Sequence, residues 1–254
     1  MRCNPPYCRQ FLLNSLQITY LYRLSSELDF QGAYTYAHSI DNSSGNTNAV
    51  AIQNPANLDL YRGNSDFDVR QNLVLSWSYQ LPFGRSKKFA SNAHGVLQTA
   101  IGGWRLNSID TFQTGSPFTP VMTTSLLNAG SAVQWPNRIG SGTLPNPTIH
   151  EWFNPGAFVS PGNYIYGNSG RNILFGPGTT EFDLSLFKEF ALNESASRRL
   201  EFRAEAFNVL NTPEFNDPSA SIGNAAVGTI TSAGAPLLFQ RTSREVQLAL
   251  KLYF

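Results

Sequence analysis

Residues 240–254, QRTSREVQLALKLYF, decide how the chain is read. Taken in steps of two from the end, Phe254, Leu252, Leu250, Leu248 and Val246 make one wholly apolar set. The interleaved set, Tyr253, Lys251, Ala249, Gln247 and Glu245, is mostly polar. A period of two held over this length is a β-strand with one apolar face. A soluble domain seldom finishes on such a strand with an aromatic as its last residue. If the strand belongs to a larger sheet of the same kind, the alternation must recur upstream.

It does recur. In residues 11–24, FLLNSLQITYLYRL, Leu12, Leu16, Ile18, Tyr20, Tyr22 and Leu24 oppose Ser15, Gln17, Thr19 and Arg23. After a short turn at Ser25–Ser26, residues 27–40 set Leu28, Phe30, Tyr34, Tyr36 and Ile40 against Glu27, Asp29, Gln31, Thr35 and Ser39, which predicts a hairpin of long strands. Residues 69–81 give a third strand, with Val69, Leu73, Leu75, Trp77, Tyr79 and Leu81 on one face. A fourth runs from Trp104 to about Pro120. Trp104 and Leu106 share a parity there, but Asp110 falls with them and Ile109 does not, so a β-bulge near Ser108 is expected. Residues 180–192 set Phe182, Leu184, Leu186 and Phe190 against Glu181, Asp183, Ser185 and Glu189. Residues 199–211 set Leu200, Phe202, Ala204, Ala206 and Leu210 against Glu201, Arg203 and Glu205. The prediction is an all-β antiparallel meander of about seven long strands.

The connections alternate too. The turns at 25–26 and 193–198 are short, and 82–103 is intermediate, with a helical turn expected over Ala93 to Ile101. The loops at 41–68, 121–179 and 212–239 are long and rich in turn-forming residues. Every second connection is long, which puts all the long ones at one end of the sheet. Long external loops and short periplasmic turns are the outer-membrane barrel pattern.

Composition agrees. Charged residues are 14% of the 254, well under the roughly 25% of soluble domains. Aromatics reach 13%, and the 20 Gly and 15 Pro suit turns. A net charge of +1 gives no case for nucleic acid. Mean hydropathy is −0.22, and no apolar run approaches the roughly 20 residues of a membrane helix. Strand spans escape that test, because alternation averages their hydropathy out. Tyr20, Tyr22, Tyr34, Tyr36, Trp77, Tyr79 and Trp104 would suit interfacial girdles. Cys3 and Cys8 have no third cysteine or nearby histidine, so neither a metal site nor a functional disulfide is expected. Arg2 and Pro5–Pro6, with no apolar run before Asn14, do not read as a secretory signal.

Several segments carry a family resemblance: YTYAHSIDNSSG, RGNSDFDVRQNLVLSWSYQLPFGRSKKF, IGGWRLNSIDTFQTGSPFTP, FGPGTTEFDLSLFKEF, RRLEFRAEAFNVLNTPEF and the terminal LALKLYF. Together they resemble the C-terminal barrel part of TonB-dependent outer-membrane receptors, in the Oar-like group with a carboxypeptidase-regulatory-like domain. The resemblance covers nearly everything after residue 11, and MRCNPPYCRQ at 1–10 reads as a non-family extension. It implies the cell outer membrane, and a plug inside a barrel of about 22 strands that imports a bulky solute with energy delivered by TonB. With about seven strands and no plug, this chain reads as a C-terminal fragment of a truncated, mis-started or split gene. It would be an open curved sheet if alone, and not transport-competent by itself. The expected partners are outer-membrane lipid, the missing N-terminal barrel and plug, TonB only through that missing part, and the barrel-assembly machinery. That machinery would read Val246, Leu248, Leu250, Leu252 and Phe254 as its signal.

Enzyme chemistry has no support in the sequence. His38, His94 and His150 lack metal-site spacing, and there is no nucleophile elbow, Walker loop or dinucleotide fingerprint. No cofactor or metal is expected. Asp41, Asp66 and Asp68 could hold Ca²⁺ but lack the spacing, so they are expected as solvated loop acids. Glu201, Arg203 and Glu205 are expected to line a lumen as an ion-pair ladder. Trp135, Trp152, Tyr164 and Tyr166 in the longest loop are the candidate solute contacts, or else they fold that loop onto itself. The competing architecture is a secreted or surface β-sandwich that binds glycans or mediates adhesion, with two sheets packed apolar face to apolar face.

Overall fold

The computed structural model describes residues 10–24, 27–44, 53–54, 56–128, 133–192, 198–234 and 243–254. Cys3, Cys8, the Ser25–Ser26 turn and most of the 193–198 turn lie outside these residues. Seven long strands form one antiparallel meander: β1 (Phe11–Arg23), β2 (Leu28–Asp41), β3 (Gln71–Gln80), β4 (Trp104–Gln113), β5 (Thr179–Ala191), β6 (Arg199–Phe207) and β7 (Glu245–Tyr253). Each pairs with the next in sequence, and a two-residue rung, Gly63–Asn64, adds to β2. The strands run 9 to 14 residues, enough to cross a bilayer at about 9–11 tilted residues each. No helix among the described residues is long and apolar enough to cross a membrane.

Register keeps the two faces distinct across the whole sheet. One continuous row is Tyr22, Phe30, Trp77, Ser108, Leu184, Ala206 and Val246. The row beside it, on the opposite face, is Arg23, Asp29, Ser78, Asn107, Ser185, Glu205 and Gln247. Because side chains alternate with period two, a one-residue slip anywhere would mix these rows. None occurs, so the sequence alternation translates into a single apolar face. Tyr34 and Tyr36 lie on that face towards the long-loop end, and Tyr79 and Trp104 towards the short-turn end.

Among the described residues no second sheet covers the apolar face. Leu16 is 56% exposed, Ile18 52% and Leu248 70%. The other described strand pairs are two-stranded and belong to the connections. A β-sandwich needs a second sheet on that face, so the sandwich alternative falls.

The fourth strand corrects one expectation. The pairings of β4 with β3 and β5 are continuous, with no bulge at Ser108. Asp110 does lie on the apolar face, where Ser108 Oγ, on the same face, shares its one hydroxyl proton between Asp110 Oδ1 at 2.5 Å and Asp183 O at 2.9 Å. Ile109 lies on the polar face and is 53% exposed. A local hydrogen bond absorbs the parity break that a bulge was invoked to explain. The strand also stops at Gln113, short of Pro120. A Cβ on Gly115 would lie 1.9 Å from Gly176 O, so two backbones touch where the chain leaves the sheet. The sixth strand likewise ends at Phe207 rather than 211. Asn208 (φ 48°) and Asn211 (φ 55°) take left-handed conformations there.

At the short-turn end, residues 82–103 form a compact turn closed by α1 (Gly95–Ile101). At the other end, the long connections pack together into a cap. The described cluster of buried apolar residues, Phe118, Phe153, Ala157, Phe158, Leu174 and Ile222, lies there and not in the sheet.

Candidate functional site

Two features face a space that a solute could enter: the cap and the polar face of the sheet. The cap is tied to the sheet through Arg171, whose side chain is 2% exposed. Its Nη1 donates to Asp41 Oδ1 at 2.5 Å, to Asp41 O at 3.1 Å and to Tyr61 O at 3.3 Å. Its Nη2 donates to Asp66 Oδ1 at 3.0 Å and to Ser44 Oγ. One guanidinium thus joins the end of β2, the first long loop and the longest loop. Asn172 beside it donates to Asn64 O at 2.8 Å and to Asp66 Oδ1 at 2.6 Å, and accepts from Thr119 Oγ1 at 2.8 Å.

These contacts correct the reading of the loop acids. Asp41 and Asp66 are partners of Arg171, and Asp68 accepts from Arg70 Nε at 2.6 Å and from Ser39 N at 2.7 Å. Asp41 and Asp68 are thus buried in ion pairs and not solvated, whereas Asp66 pairs with Arg171 but keeps its side chain 39% exposed. Among the described residues no group of three His, Cys, Asp or Glu side chains is placed to hold a metal ion. The histidines stay apart: His38 meets Asn64 Oδ1 at 3.2 Å, and His94 and His150 are exposed in different turns.

Side-chain amides replace backbone partners inside the cap. Gln53 accepts from Trp135 N at 3.0 Å and Gly167 N at 3.2 Å, and donates to Gly167 O at 2.7 Å. Gln134 accepts from Leu126 N and donates to Gly162 O and Ile165 O. An amide carries both donor and acceptor, so it can stand in for a missing strand. Buried backbone groups without such partners would cost about 1–3 kcal/mol each.

The candidate aromatics divide. Trp135 is 2% exposed, its ring 5.1 Å from that of Tyr61. It is an interior residue with no surface to offer a solute, which corrects its place among the contacts. Trp152 packs against the apolar cluster and donates its indole N–H to Phe175 O at 2.8 Å. Tyr164 and Tyr166 are exposed, at 71% and 42%, and are the two of the four that present rings outward. Burial pushes the Tyr61 phenol above its ordinary range.

On the polar face, Glu201, Arg203 and Glu205 project from β6. Arg203 pairs with Glu201 and lies 4.9 Å from the Phe187 ring centroid. Tyr253 Oη lies 3.4 Å from Glu201, and Gln247 donates to Glu205. The expected ladder is therefore mixed: one ion pair along β6, then hydrogen bonds across to β7. A recess of about 420 Å³ opens beside it, lined by Arg105, Asn107, Phe187, Glu189, Glu201 and Arg203. Donors and acceptors displayed this way can hydrate or hydrogen-bond a polar solute.

Sequence reasoning missed Arg171, Asn172, Gln53 and Gln134. Each sits in a polar stretch whose spacing marks no residue out, and only the fold brings their partners near.

A family model described as an outer membrane beta barrel domain matches residues 11–247. No curated protein and no solved structure gives a significant match.

Proposed function

Because the chain belongs to the outer membrane beta barrel domain family, we propose that it forms part of the wall and external mouth of a TonB-dependent transporter of the Oar-like group, which imports a bulky solute. In this reading the apolar face meets lipid, the polar face lines the lumen, and the long-loop end is external. The observation that carries it is an asymmetry. Long connections fold into an ordered cap at one end of a sheet that keeps a polar row across all seven strands. Tyr164 and Tyr166 are the solute contacts we assign on the cap.

Strand direction constrains how the wall closes. β1 and β7 both run from the long-loop end to the short-turn end, since seven alternating strands separate them by an even number of reversals. An antiparallel barrel therefore needs an odd number of further strands between β7 and β1. A second copy alone would meet this chain in parallel at both seams. Open edges in lipid would cost several kcal/mol for each unpaired backbone group. We assign the closing strands, the plug and the TonB contact to another part of the receptor, and the insertion signal to Val246, Leu248, Leu250, Leu252 and Phe254.

Cell fractionation and heat-modifiable gel migration test the wall, with outer-membrane recovery and a heat-shifted band expected. A soluble product without the shift would overturn it. Solute uptake by cells expressing the chain with a plug-bearing partner tests the transporter. Uptake should vanish without TonB, and TonB-independent uptake would rule out this class.

A further inference from the structure

Lys188 breaks the alternation of β5. It lies on the apolar face, opposite Trp104 on one side and Phe202 on the other. A cation there should meet lipid, yet Lys188 is 2% exposed. Residues 100–102 cover it. Its Nζ donates to Ala100 O at 3.0 Å and Gly102 O at 2.6 Å, carbonyls at the C-terminal end of α1. The ammonium also stands 4.7 Å from the Trp104 ring centroid and 5.1 Å from that of Phe190. Trp104 donates its indole N–H to the same Ala100 O at 3.0 Å. These contacts pin the C-terminal end of α1 to the apolar face of the wall, while Lys87, donating to Glu27 and Gln80 on the polar face, ties the start of the turn to the rim of the sheet.

The outward surface of that turn is apolar and basic. Phe83 is 42% exposed, Phe89 49%, Val96 87% and Leu97 56%. The two phenyl rings pair at 5.6 Å. Arg85 and Lys88 stand among them without an ion pair among the described residues, whereas Lys87 is held by Glu27 at 2.6 Å. Gln98 Oε1 accepts from Arg85 N at 2.5 Å, which fixes the basic arm on α1.

We propose that residues 82–103 form an interfacial anchor for anionic phospholipid headgroups at the short-turn side of the membrane. Phe83, Phe89, Val96 and Leu97 enter the boundary between acyl chains and headgroups, and Arg85 and Lys88 meet the phosphates. The proposal rests on the sheet being a membrane wall, so the test reads both.

The full chain carrying Cys3→Ser and Cys8→Ser receives either Leu97→Cys or Leu248→Cys, is labelled with bimane, and is folded into nanodiscs together with the part of the receptor that supplies the closing strands. The discs contain phosphatidylcholine alone or mixed with phosphatidylglycerol. Brominated lipid should quench both labels, and phosphatidylglycerol should deepen quenching at position 97 only. Arg85→Glu with Lys88→Glu should abolish that increment, since each basic residue at an anionic surface is worth roughly fivefold in partitioning. A label at 97 that iodide reaches and brominated lipid does not, with 248 still quenched, overturns the anchor alone. So does an increment that survives the charge reversal. If neither label is quenched, the wall reading falls and the anchor with it.

Discussion

Leu250 and Phe153 are both large apolar side chains on ordered strands, yet Leu250 is 65% exposed and Phe153 1%. The difference runs through the molecule. The sheet has seven long strands in register and buries few of their apolar side chains. It is held by its backbone ladder, and its apolar face is stabilised only when a hydrocarbon phase replaces water. The cap has strands of two to six residues, but it owns the described apolar cluster and the buried Arg171 knot. It is held as a soluble domain is held. One chain thus contains a part that needs a membrane and a part that carries its own interior.

If that division is real, damage to the cap should leave the sheet intact. Arg171→Met strands Asp41, 2% exposed, without its cation, and breaking a buried pair on one side costs about 3–5 kcal/mol. Hydrogen exchange of the folded protein in micelles should show fast exchange over residues 56–70 and 115–178, with protection unchanged in β5 and β6. Equal loss across both regions would mean that cap and sheet form one cooperative unit. Phe153→Ala should act similarly, at about 3–5 kcal/mol, through the cavity it leaves.

The two regions also differ in how far the sequence discloses them. The sheet was legible because period-two alternation is a local signal and register preserves it, as the row from Tyr22 to Val246 shows. The failure was equally local: Asp110 and Ile109 broke the parity, and a Ser108 hydroxyl rather than a bulge resolves it. Nothing comparable marks the cap. Arg171 meets Asp41 across 130 residues, and Gln53 meets Gly167 across 114. Pairings at that separation leave no periodicity, and amides replacing strands have no propensity signature. The aromatics of the longest loop were visible, but which of them faces inward was not. Trp135 went to the interior, and Tyr164 and Tyr166 to the surface.

A lipid-facing substitution should show the converse dependence. Leu250→Ala removes apolar surface that is wet without a bilayer and buried within one, so its cost belongs to the membrane-inserted state. In vesicles, unfolding against urea should show a loss of about 2 kcal/mol. Phe153→Ala, in the cap, should cost the same whatever hydrocarbon phase surrounds the sheet. If Leu250→Ala costs nothing in vesicles, that face does not meet hydrocarbon.

The smallest effect expected is one of pH, and it separates the regions by charge rather than packing. Glu214 lies in the connection before β7, is 4% exposed, and has two carboxylate oxygens that accept no hydrogen bond. Burial first, and then the charges of Glu181 and Asp183, raise its pKa above the ordinary 4.5. With the folded value above the unfolded one, the protonated form favours folding. Its contribution is fully present below the unfolded pKa and is lost as pH rises through the folded one. The cap should therefore weaken from acid towards neutral pH by this residue. Glu214→Gln removes the buried charge and should stabilise the cap by about 1 kcal/mol at neutral pH, with no gain near pH 4. Near-UV circular dichroism during thermal melting, which follows the Tyr61–Trp135 ring pair, reads the cap directly. A gain of equal size at both pH values would show that Glu214 acts through packing, and would remove electrostatics from the account of what holds the cap.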